Sequence, residues 1–376
     1  MVPMKKILTF LLVFVFVLAF AAGCADSPPP APAPAPTSPD TPAPPVQPQT
    51  PAPPSTPNTE DPGTGTEGEQ EPAGPVPPIM ISAAVLAEII NEDNLILIGV
   101  VSPTAALVPF SNAANPIRDS YLVWTGDYFG TNPEALSTEV TTYRPPLSDM
   151  ERLLSRAGVT ADSKIVVYSS DWLSQGGYVA WQLSMMGLDV SFLDGGVSAW
   201  RAIRGATGRS SRLADQNEKN EFRAPDYNPA AFDATIDVVI EALQNPDEWV
   251  VIDTRDADEY SGARTGSSGG AFGTGRMKGA VHVDWERAFG DDDLLLSRER
   301  LMDLYDFIGD RKVIVYCQGG VRSAYTWMVL RDLGYEVLNY DGSWIEWSYA
   351  ASTASSYSSD VVLALTEEWT DNGGRI

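Results

Sequence analysis

The feature that most constrains the fold of this chain is an internal repeat. One copy begins at Lys164 and reads KIVVYSSDWLSQGGYVAWQLSMMGLDVSFLDGGVSAW, and the other begins at Lys312 and reads KVIVYCQGGVRSAYTWMVLRDLGYEVLNYDGSWIEW. Each copy predicts a strand ending in Tyr, a loop, an amphipathic helix, a second strand and an Asp-Gly corner. The matched residues are Tyr168 with Tyr316, Asp194 with Asp341, and Trp200 with Trp347. The repeat therefore predicts two copies of one folding unit.

Within each copy, short apolar strands alternate with helical periods. In the second copy the predicted strands are Val250–Ile252, Val281–Val283, Val313–Tyr316 and Val337–Leu338, and the predicted helices are Thr235–Leu243, Arg298–Phe307 and Val321–Leu333. This alternation predicts an α/β fold of two domains, each a parallel sheet flanked by helices. Sites in such sheets form at the carboxyl ends of the strands, and Cys317 follows one of these ends.

Composition divides the chain into six predicted segments. They are a signal peptide at 1–23, a Pro-rich linker at 24–79, the first domain at 80–207, an interdomain linker at 208–230, the second domain at 231–350 and a C-terminal tail at 351–376. The Pro-rich segment cannot bury a core, so it is predicted to be an extended tether. In the tail, Val361–Trp369 is predicted to form a short amphipathic helix.

The N-terminus predicts export. Lys5 and Lys6 precede an apolar run from Ile7 to Ala22, which is too short for a stable membrane span. The run ends in AAGC and resembles a bacterial lipoprotein signal peptide. This resemblance implies acylation of Cys24 and a protein anchored by lipid to the cell membrane, facing the exterior or the periplasm. The alternative is an ordinary secretory signal that leaves Cys24 unmodified.

Charge and cysteine content restrict the partners and the chemistry. The chain carries 25 Lys plus Arg against 50 Asp plus Glu, a net charge of −25, which argues against nucleic acid as a partner. If Cys24 is acylated, Cys317 is the one remaining thiol, so no disulfide framework and no dithiol chemistry are expected. One His and one thiol do not make a metal ligand set, and no cofactor is predicted.

The loop from Cys317 to Arg322 predicts a nucleophilic thiolate. Gly319 and Gly320 let the backbone curl, so that successive N–H groups can point at one spot as in an anion nest. The positive end of the following helix faces the same spot. These effects favour a thiolate nucleophile without a histidine partner. His282 is predicted to be structural, and a His–Cys dyad is the weaker alternative.

The same residues resemble the rhodanese family in its tandem two-domain form. The resemblance covers about 80–350 and rests on VVIDTRDADEY from Val250, GRMKGAVHVDW from Gly275, YCQGGVRSA from Tyr316 and YDGSWIEW from Tyr340. It implies an inactive first domain and an active second one. The first copy agrees, because Ser169 stands where Cys317 stands. It also has Gly99-Val100-Val101 in place of the Asp-x-Arg of Asp253–Arg255.

The resemblance implies a thiosulfate sulfurtransferase. Cys317 would take a sulfane sulfur from a small anion such as thiosulfate, and its persulfide would pass that sulfur to a thiol or cyanide. Arg322 would bind the anionic donor, and Arg255 would either orient the cleft or form a structural ion pair with Asp258 or Glu259. The loop residues expected to contact the substrate are Gln318, Gly319, Gly320 and Val321.

Other functions remain open at this point. A non-catalytic sulfur carrier or sensing module would use the same thiol, and 3-mercaptopyruvate is an alternative donor. Related Cys phosphatases use a Cys-x5-Arg loop, whereas this chain has Cys-x4-Arg, a smaller ring that suits a single sulfur atom. The glycine-rich segment 261–276 is either a flap over the site or a surface insertion. Asp341 and Trp347 are expected to hold a corner of the fold.

Overall fold

A computed structural model describes residues 79–108, 111–130, 140, 143–264, 270–353 and 359–371. The signal peptide, Cys24 and all but the last residue of the Pro-rich segment lie outside these residues. The described residues belong to one compact unit spanning Glu71–Ile376. We call residues 79–230 the first half and residues 231–371 the second half. Among the described residues, no helix is both long and apolar enough to cross a membrane.

The first half is built on a parallel sheet of six strands. In chain order they are β1 (Met80–Ile81), β2 (Leu95–Val100), β3 (Tyr121–Val123), β4 (Lys164–Ser169), β5 (Asp189–Leu193) and β6 (Ser211–Arg212). The helices are α1 (Ala83–Ile89), α2 (Thr125–Tyr128), α3 (Leu147–Ala157), α4 (Leu173–Ser184) and α5 (Gly196–Ala202), with short 3₁₀ turns at Ala105–Leu107 and Leu213–Asp215. The strands lie in the order β1-β5-β4-β2-β3-β6 and every neighbouring pair is parallel.

The second half repeats this arrangement. Its strands are β7 (Trp249–Asp253), β8 (Gly273–Met277), β9 (Val281–His282), β10 (Lys312–Tyr316), β11 (Val337–Asn339) and β12 (Thr366–Asp371). Its helices are α6 (Ile236–Gln244), α7 (Ala257–Tyr260), α8 (Arg298–Tyr305), α9 (Val321–Leu333), α10 (Ser343–Ser352) and α11 (Ser359–Ala364), with 3₁₀ turns at Pro229–Ala231, Trp285–Ala288 and Asp306–Ile308. Four strands form a parallel sheet in the order β11-β10-β7-β9.

The four strands of the second sheet match four of the six strands of the first. The order β11-β10-β7-β9 corresponds to β5-β4-β2-β3. At the position that β1 takes beside β5, the second half has a single parallel bridge, between Asp233 and Asn339 of β11. The predicted α/β fold with parallel sheets flanked by helices is therefore confirmed. The strands predicted in the second copy are all present, and α9 has the bounds predicted for it.

Local sequence signals define the helix ends. Thr235, Ser297 and Ser82 each accept a hydrogen bond from a main-chain N–H in the first turn of α6, α8 and α1, which satisfies a donor that the helix itself cannot. Gly158 and Gly334 end α3 and α9 in the left-handed conformation, where a side chain would be strained.

The halves pack through equivalent helices, α4 and α9. A Cβ atom added to Gly177 of α4 would lie 2.8 Å from Met328 Cε and 3.1 Å from Tyr325 Cα, so this glycine lets the two helices approach closely. Tyr178, Trp181, Tyr325 and Trp327 are buried in the same large core cluster, which contains residues of both halves. The halves therefore share one hydrophobic core.

Two boundary predictions differ from the structure. Ser211–Arg212 of the predicted linker pairs with β3, and Leu213 and Phe222 are buried in the core, so this segment is part of the folded unit. In the tail, the helix predicted at Val361–Trp369 ends at Ala364, and Thr366–Asp371 forms β12 antiparallel to β8.

Candidate active site at Cys317

Cys317 lies where the sequence predicts, directly after the carboxyl end of β10. It is 1% exposed, and Ser323 Oγ donates a hydrogen bond to its Sγ over 3.5 Å. The carbonyl of Cys317 accepts a hydrogen bond from the main-chain N–H of Trp344 at 3.1 Å. The thiol is thus held between the first turn of α9 and the start of α10.

Ser343 determines the curvature of the loop. Its Oγ accepts the main-chain N–H groups of Cys317 at 3.2 Å and Gly320 at 2.9 Å, and its hydroxyl donates to the carbonyl of Tyr340 at 2.6 Å. Sequence reasoning expected the loop N–H groups to face the sulfur, whereas these two face Ser343. Ser343 has a φ of +49°, and the equivalent residue of the first half is Gly196, with a φ of +52°. In the alignment of the two copies, a serine at 343 stands where the first copy has glycine at 196. This difference is the sequence signal that could have identified Ser343 as a site residue.

Gly320 is required by the backbone. Its φ is +77°, and a Cβ atom there would lie 2.7 Å from the carbonyl oxygen of Asp341. The other loop residues are tightly packed: Gln318 and Gly319 are buried, and the Gln318 carbonyl accepts the N–H of Ile345 at 3.0 Å. Val321 is half-buried at the start of α9.

Arg322 lies beside the thiol but is paired with a carboxylate. Its Nη1 and Nη2 donate to Glu259 Oε2 at 2.6 Å and Oε1 at 2.8 Å. Burial alone would lower the pKa of Arg322, but Glu259 and the nearby Cys317 outweigh burial and raise it. Arg322 therefore stays charged, and Glu259 neutralises that charge.

Arg255 has a structural environment. It is 1% exposed, and its partner is Asp253, with Nε 2.9 Å from Oδ1 and Nη2 2.6 Å from Oδ2. Nη2 also donates to the carbonyl of Gly275 at 2.9 Å, and the guanidinium lies 4.8 Å from the ring centroid of Trp344. Arg255 therefore forms its ion pair with Asp253 of the Asp-x-Arg motif, and not with Asp258 or Glu259, which were the partners predicted if its role were structural. Tyr316 completes it by donating to Asp253 Oδ2 at 2.6 Å.

His282 is engaged away from the thiol. Its Nε2 donates to the carbonyl of Arg255 at 2.8 Å, and its ring stacks on Tyr260 with centroids 4.5 Å apart. It is half-buried in β9, next to Asp253 of β7. These contacts match the predicted structural role and connect His282 to Arg255.

The first half lacks this chemistry at the matching position. Ser169 Oγ accepts the N–H of Gly176 at 3.1 Å and donates to the carbonyl of Leu173 at 3.5 Å. A Cβ on Gly176 would lie 2.3 Å from this oxygen. Ser169 is thus used to close its own loop.

Residues of the first half contact the corner that follows β11. Arg144 donates its main-chain N–H to Asp341 Oδ2 at 3.0 Å, and its Nη1 contacts both Asp341 and Asp233. Tyr178 Oη donates to Asp341 Oδ1 at 2.7 Å. Burial raises the pKa of both carboxyls, and Arg144 opposes this rise. The expected role of Asp341 in holding a corner is consistent with these contacts.

The matching Asp of the first half makes the reciprocal contact. Asp194 follows β5, and its Oδ1 and Oδ2 accept the main-chain N–H of Leu295 at 3.2 and 3.3 Å. Leu295 belongs to the segment between β9 and α8, just as Arg144 belongs to the segment between β3 and α3. Each half therefore binds the Asp corner of the other.

Part of the glycine-rich segment 261–276 is built into the fold. Phe272 is buried with Val140, Tyr143 and Ile345, and its N–H donates to Ser348 Oγ at 3.0 Å. Residues 265–269 lie outside the described part of the chain. Within that described part, no group of three or more His, Cys, Asp and Glu side chains is placed to hold a metal ion.

The fold and the site together define an α/β protein with a buried free thiol at the carboxyl edge of a parallel sheet. Residues 236–350 match the family described as Rhodanese-like domain. The chain is 37% identical over 210 residues to the Mycobacterium bovis protein named "Putative thiosulfate sulfurtransferase SseA", covering 53% of this chain and 67% of that one. It is 29% identical over 222 residues to the Thermus thermophilus sulfur carrier protein TtuD, covering 53% and 73%.

Solved structures show the same fold. The anaerobic ergothioneine biosynthesis enzyme from Chlorobium limicola matches with a TM-score of 0.60 at 22% identity, over 72% of this chain and 68% of that one. This similarity concerns the fold alone. The sequence matches identify the chain as a member of the rhodanese family of sulfurtransferases.

Proposed function

We propose that the protein transfers a sulfane sulfur through a persulfide on Cys317. The observation that carries this proposal is the position of the thiol, directly after β10 and within 3.5 Å of the Ser323 hydroxyl. A hydrogen bond from this hydroxyl would stabilise an anionic sulfur, both as the thiolate and as the persulfide.

With thiosulfate as the donor, the Cys317 thiolate attacks the outer sulfur. The bond from that sulfur to the sulfonate group breaks, sulfite leaves with the electron pair, and the Cys317 persulfide anion remains. Attack by cyanide or a thiolate on the outer sulfur then releases thiocyanate or a new persulfide and restores the thiolate. The Ser323 hydroxyl can donate a hydrogen bond to each of these sulfur anions in place.

The burial of Cys317 favours small donors and acceptors. A sulfur on a residue that is 1% exposed is out of reach of a folded partner protein without a local rearrangement. A sulfur carrier that delivers to a protein is the second candidate, and its support is the similarity to the protein named sulfur carrier TtuD. A carrier would form a stable persulfide but turn over slowly with small acceptors.

The test is thiocyanate production from thiosulfate and cyanide by residues 79–376, with the Cys317→Ser variant as its control. Turnover that is lost in the variant is the expected result. A stable persulfide on Cys317 without turnover would favour the carrier, and the absence of any persulfide with thiosulfate, 3-mercaptopyruvate or an organic persulfide would refute the proposal.

We propose further that the chain is a tandem rhodanese in which 80–207 is non-catalytic. The matching strand order of the two sheets and the closed loop around Ser169 support this. Acylation of Cys24 would hold the protein at the outer face of the cell membrane by a lipid anchor. Partition of the full-length protein into a detergent phase, lost in Cys24→Ala, is the expected observation, and equal partition of both would contradict it.

A further inference from the structure

The ion pair between Glu259 and Arg322 is built into the active-site wall. Asp256 caps α7 by accepting the N–H groups of Asp258 at 3.1 Å and Glu259 at 3.0 Å, which fixes Glu259 in the first turn. Glu259 is fully buried, and both of its oxygens are within hydrogen-bond distance of Arg322. A bidentate pair of this kind fixes the guanidinium in one orientation.

Further carboxylates surround the same guanidinium. Burial raises the pKa of Asp284, and the charge of Arg322 opposes that rise. The pKa of Asp256 is lowered. Burial alone would raise it, but hydrogen bonds from Glu259 and the charges of Arg264 and Arg322 outweigh burial. Arg264 in turn pairs with Asp256 and lies 4.0 Å from Glu259. Glu259 is thus hydrogen-bonded to Arg322, and the charges of Asp256 and Asp284 act on the same guanidinium.

This balance of charge matters for the donor. Thiosulfate is a dianion, so its binding is favoured by a net positive charge at the site. Arg322 cannot supply it while Glu259 holds both ends of the guanidinium. A donor with one negative charge or none meets much less repulsion.

We propose that Glu259 sets the donor preference of the site, disfavouring dianions and favouring organic persulfides. This inference rests on the proposed function and names its substrate class. In the step, the Cys317 thiolate attacks the outer sulfur of R–S–SH, the S–S bond of the donor breaks, and R–S⁻ leaves with the electron pair. The proton stays on the transferred sulfur, and Cys317 carries the persulfide.

The experiment measures single-turnover loading of Cys317 by mass spectrometry, with thiosulfate and with the persulfide of 2-mercaptoethanol as donors. Glu259→Gln keeps the shape and one acceptor oxygen but removes the negative charge that is hydrogen-bonded to both ends of Arg322. We expect the second-order rate constant for thiosulfate to rise on the order of tenfold and that for the organic persulfide to change less than about twofold. An unchanged ratio of the two rate constants overturns the inference.

Two further variants separate charge from damage to the fold. Glu259→Gln combined with Arg322→Gln restores the neutral pair, so the donor ratio should return to that of the unmodified protein. A ratio that stays high would contradict an electrostatic origin. Glu248→Gln is the matched control, since Glu248 precedes β7 at the opposite edge of the sheet, is largely exposed and should not alter the ratio.

Salt dependence offers a second test. The whole chain carries a net charge of −25, so added salt alone should raise the thiosulfate rate constant, and the contribution of Glu259 is the difference between the unmodified protein and Glu259→Gln. A rise that is equally steep in both proteins overturns the inference. Failure of Cys317 to load with any donor would instead refute the proposed function, whereas loading with an unchanged donor ratio would leave that function standing.

Discussion

Arg144 is the residue through which the first half should most strongly stabilise the second. Its guanidinium contacts Asp233 and Asp341, and its side chain and that of Asp341 are 7% and 1% exposed. Arg144→Met keeps the apolar stem but removes the charge, which leaves two buried carboxyls without their cation. Removing one partner of a buried pair costs about 3–5 kcal/mol.

The lower end of that range applies here, because Asp233 is 13% exposed and both carboxyls can take up a proton. A loss of about 3 kcal/mol corresponds to a decrease in melting temperature of roughly 6 °C.

The loss of stability in Arg144→Met depends on pH. Burial raises the pKa of both carboxyls, and without Arg144 these pKa values rise further. A carboxyl with a raised folded-state pKa favours folding below its unfolded pKa, near 3.9, and this contribution is lost as pH rises towards the folded value.

The variant should therefore be about 3 kcal/mol less stable at pH 8 and closer to the unmodified protein at pH 5. Urea unfolding followed by tryptophan fluorescence measures both values, since Trp181 and Trp327 are buried where the halves meet. Arg152→Met is the matched control, because Arg152 is on the neighbouring helix, is 57% exposed and should contribute within ~0.5 kcal/mol. A loss below about 1 kcal/mol at pH 8, or one that does not shrink at pH 5, would refute this reasoning.

Two further predictions concern glycines. Gly320→Ala places a Cβ 2.7 Å from a main-chain oxygen at a φ of +77°, so we expect persulfide loading of Cys317 to fall at least ~10-fold. The control is Gly334→Ala, whose Cβ has no atom within 4 Å; it should cost about 1 kcal/mol of stability and leave loading intact. Equal loading rates in the two variants would contradict the loop geometry. Gly177→Val places side-chain atoms against Met328 and should destabilise the protein by about 1–3 kcal/mol in thermal unfolding. The control Gly126→Ala has open space around its Cβ and should be neutral or stabilising. A neutral Gly177→Val would argue against the close packing of α4 on α9.

The sequence predicted the sheets well because apolar strands and helical periods are local signals. β7, β9, β10 and β11 all lie where short apolar runs were found, and Cys317 lies at the predicted edge. The repeat added long-range information, since matched strands in two copies imply matched strand orders. The end of the tail was missed because β12 forms through its partner β8, which the sequence of the tail does not specify.

The partners of charged residues could not be predicted in the same way. Arg322 was expected to bind the donor, and its contact with Glu259 depends on how α7 and α9 meet in space. One of the two roles predicted for Arg255 was an ion pair with Asp258 or Glu259, yet its ion-pair partner is Asp253, two residues earlier at the end of β7. Spacing along the chain restricts which residues can meet, but packing selects among the acidic residues within reach.

The first half supplies hydrogen-bond donors to a buried carboxylate beside the loop that carries Cys317. Asp341 is 1% exposed, and its oxygens accept hydrogen bonds from Arg144 and Tyr178 of the first half. A buried carboxylate without such donors would be strongly destabilising. Because the carbonyl of Asp341 lies against Gly320, any movement of this corner is transmitted to the loop that carries Cys317. The side chain of Ser169 takes no part in this contact, because it hydrogen-bonds to Leu173 and Gly176 of the first half. The residues by which the first half holds the Asp341 corner are therefore separate from the position that matches Cys317.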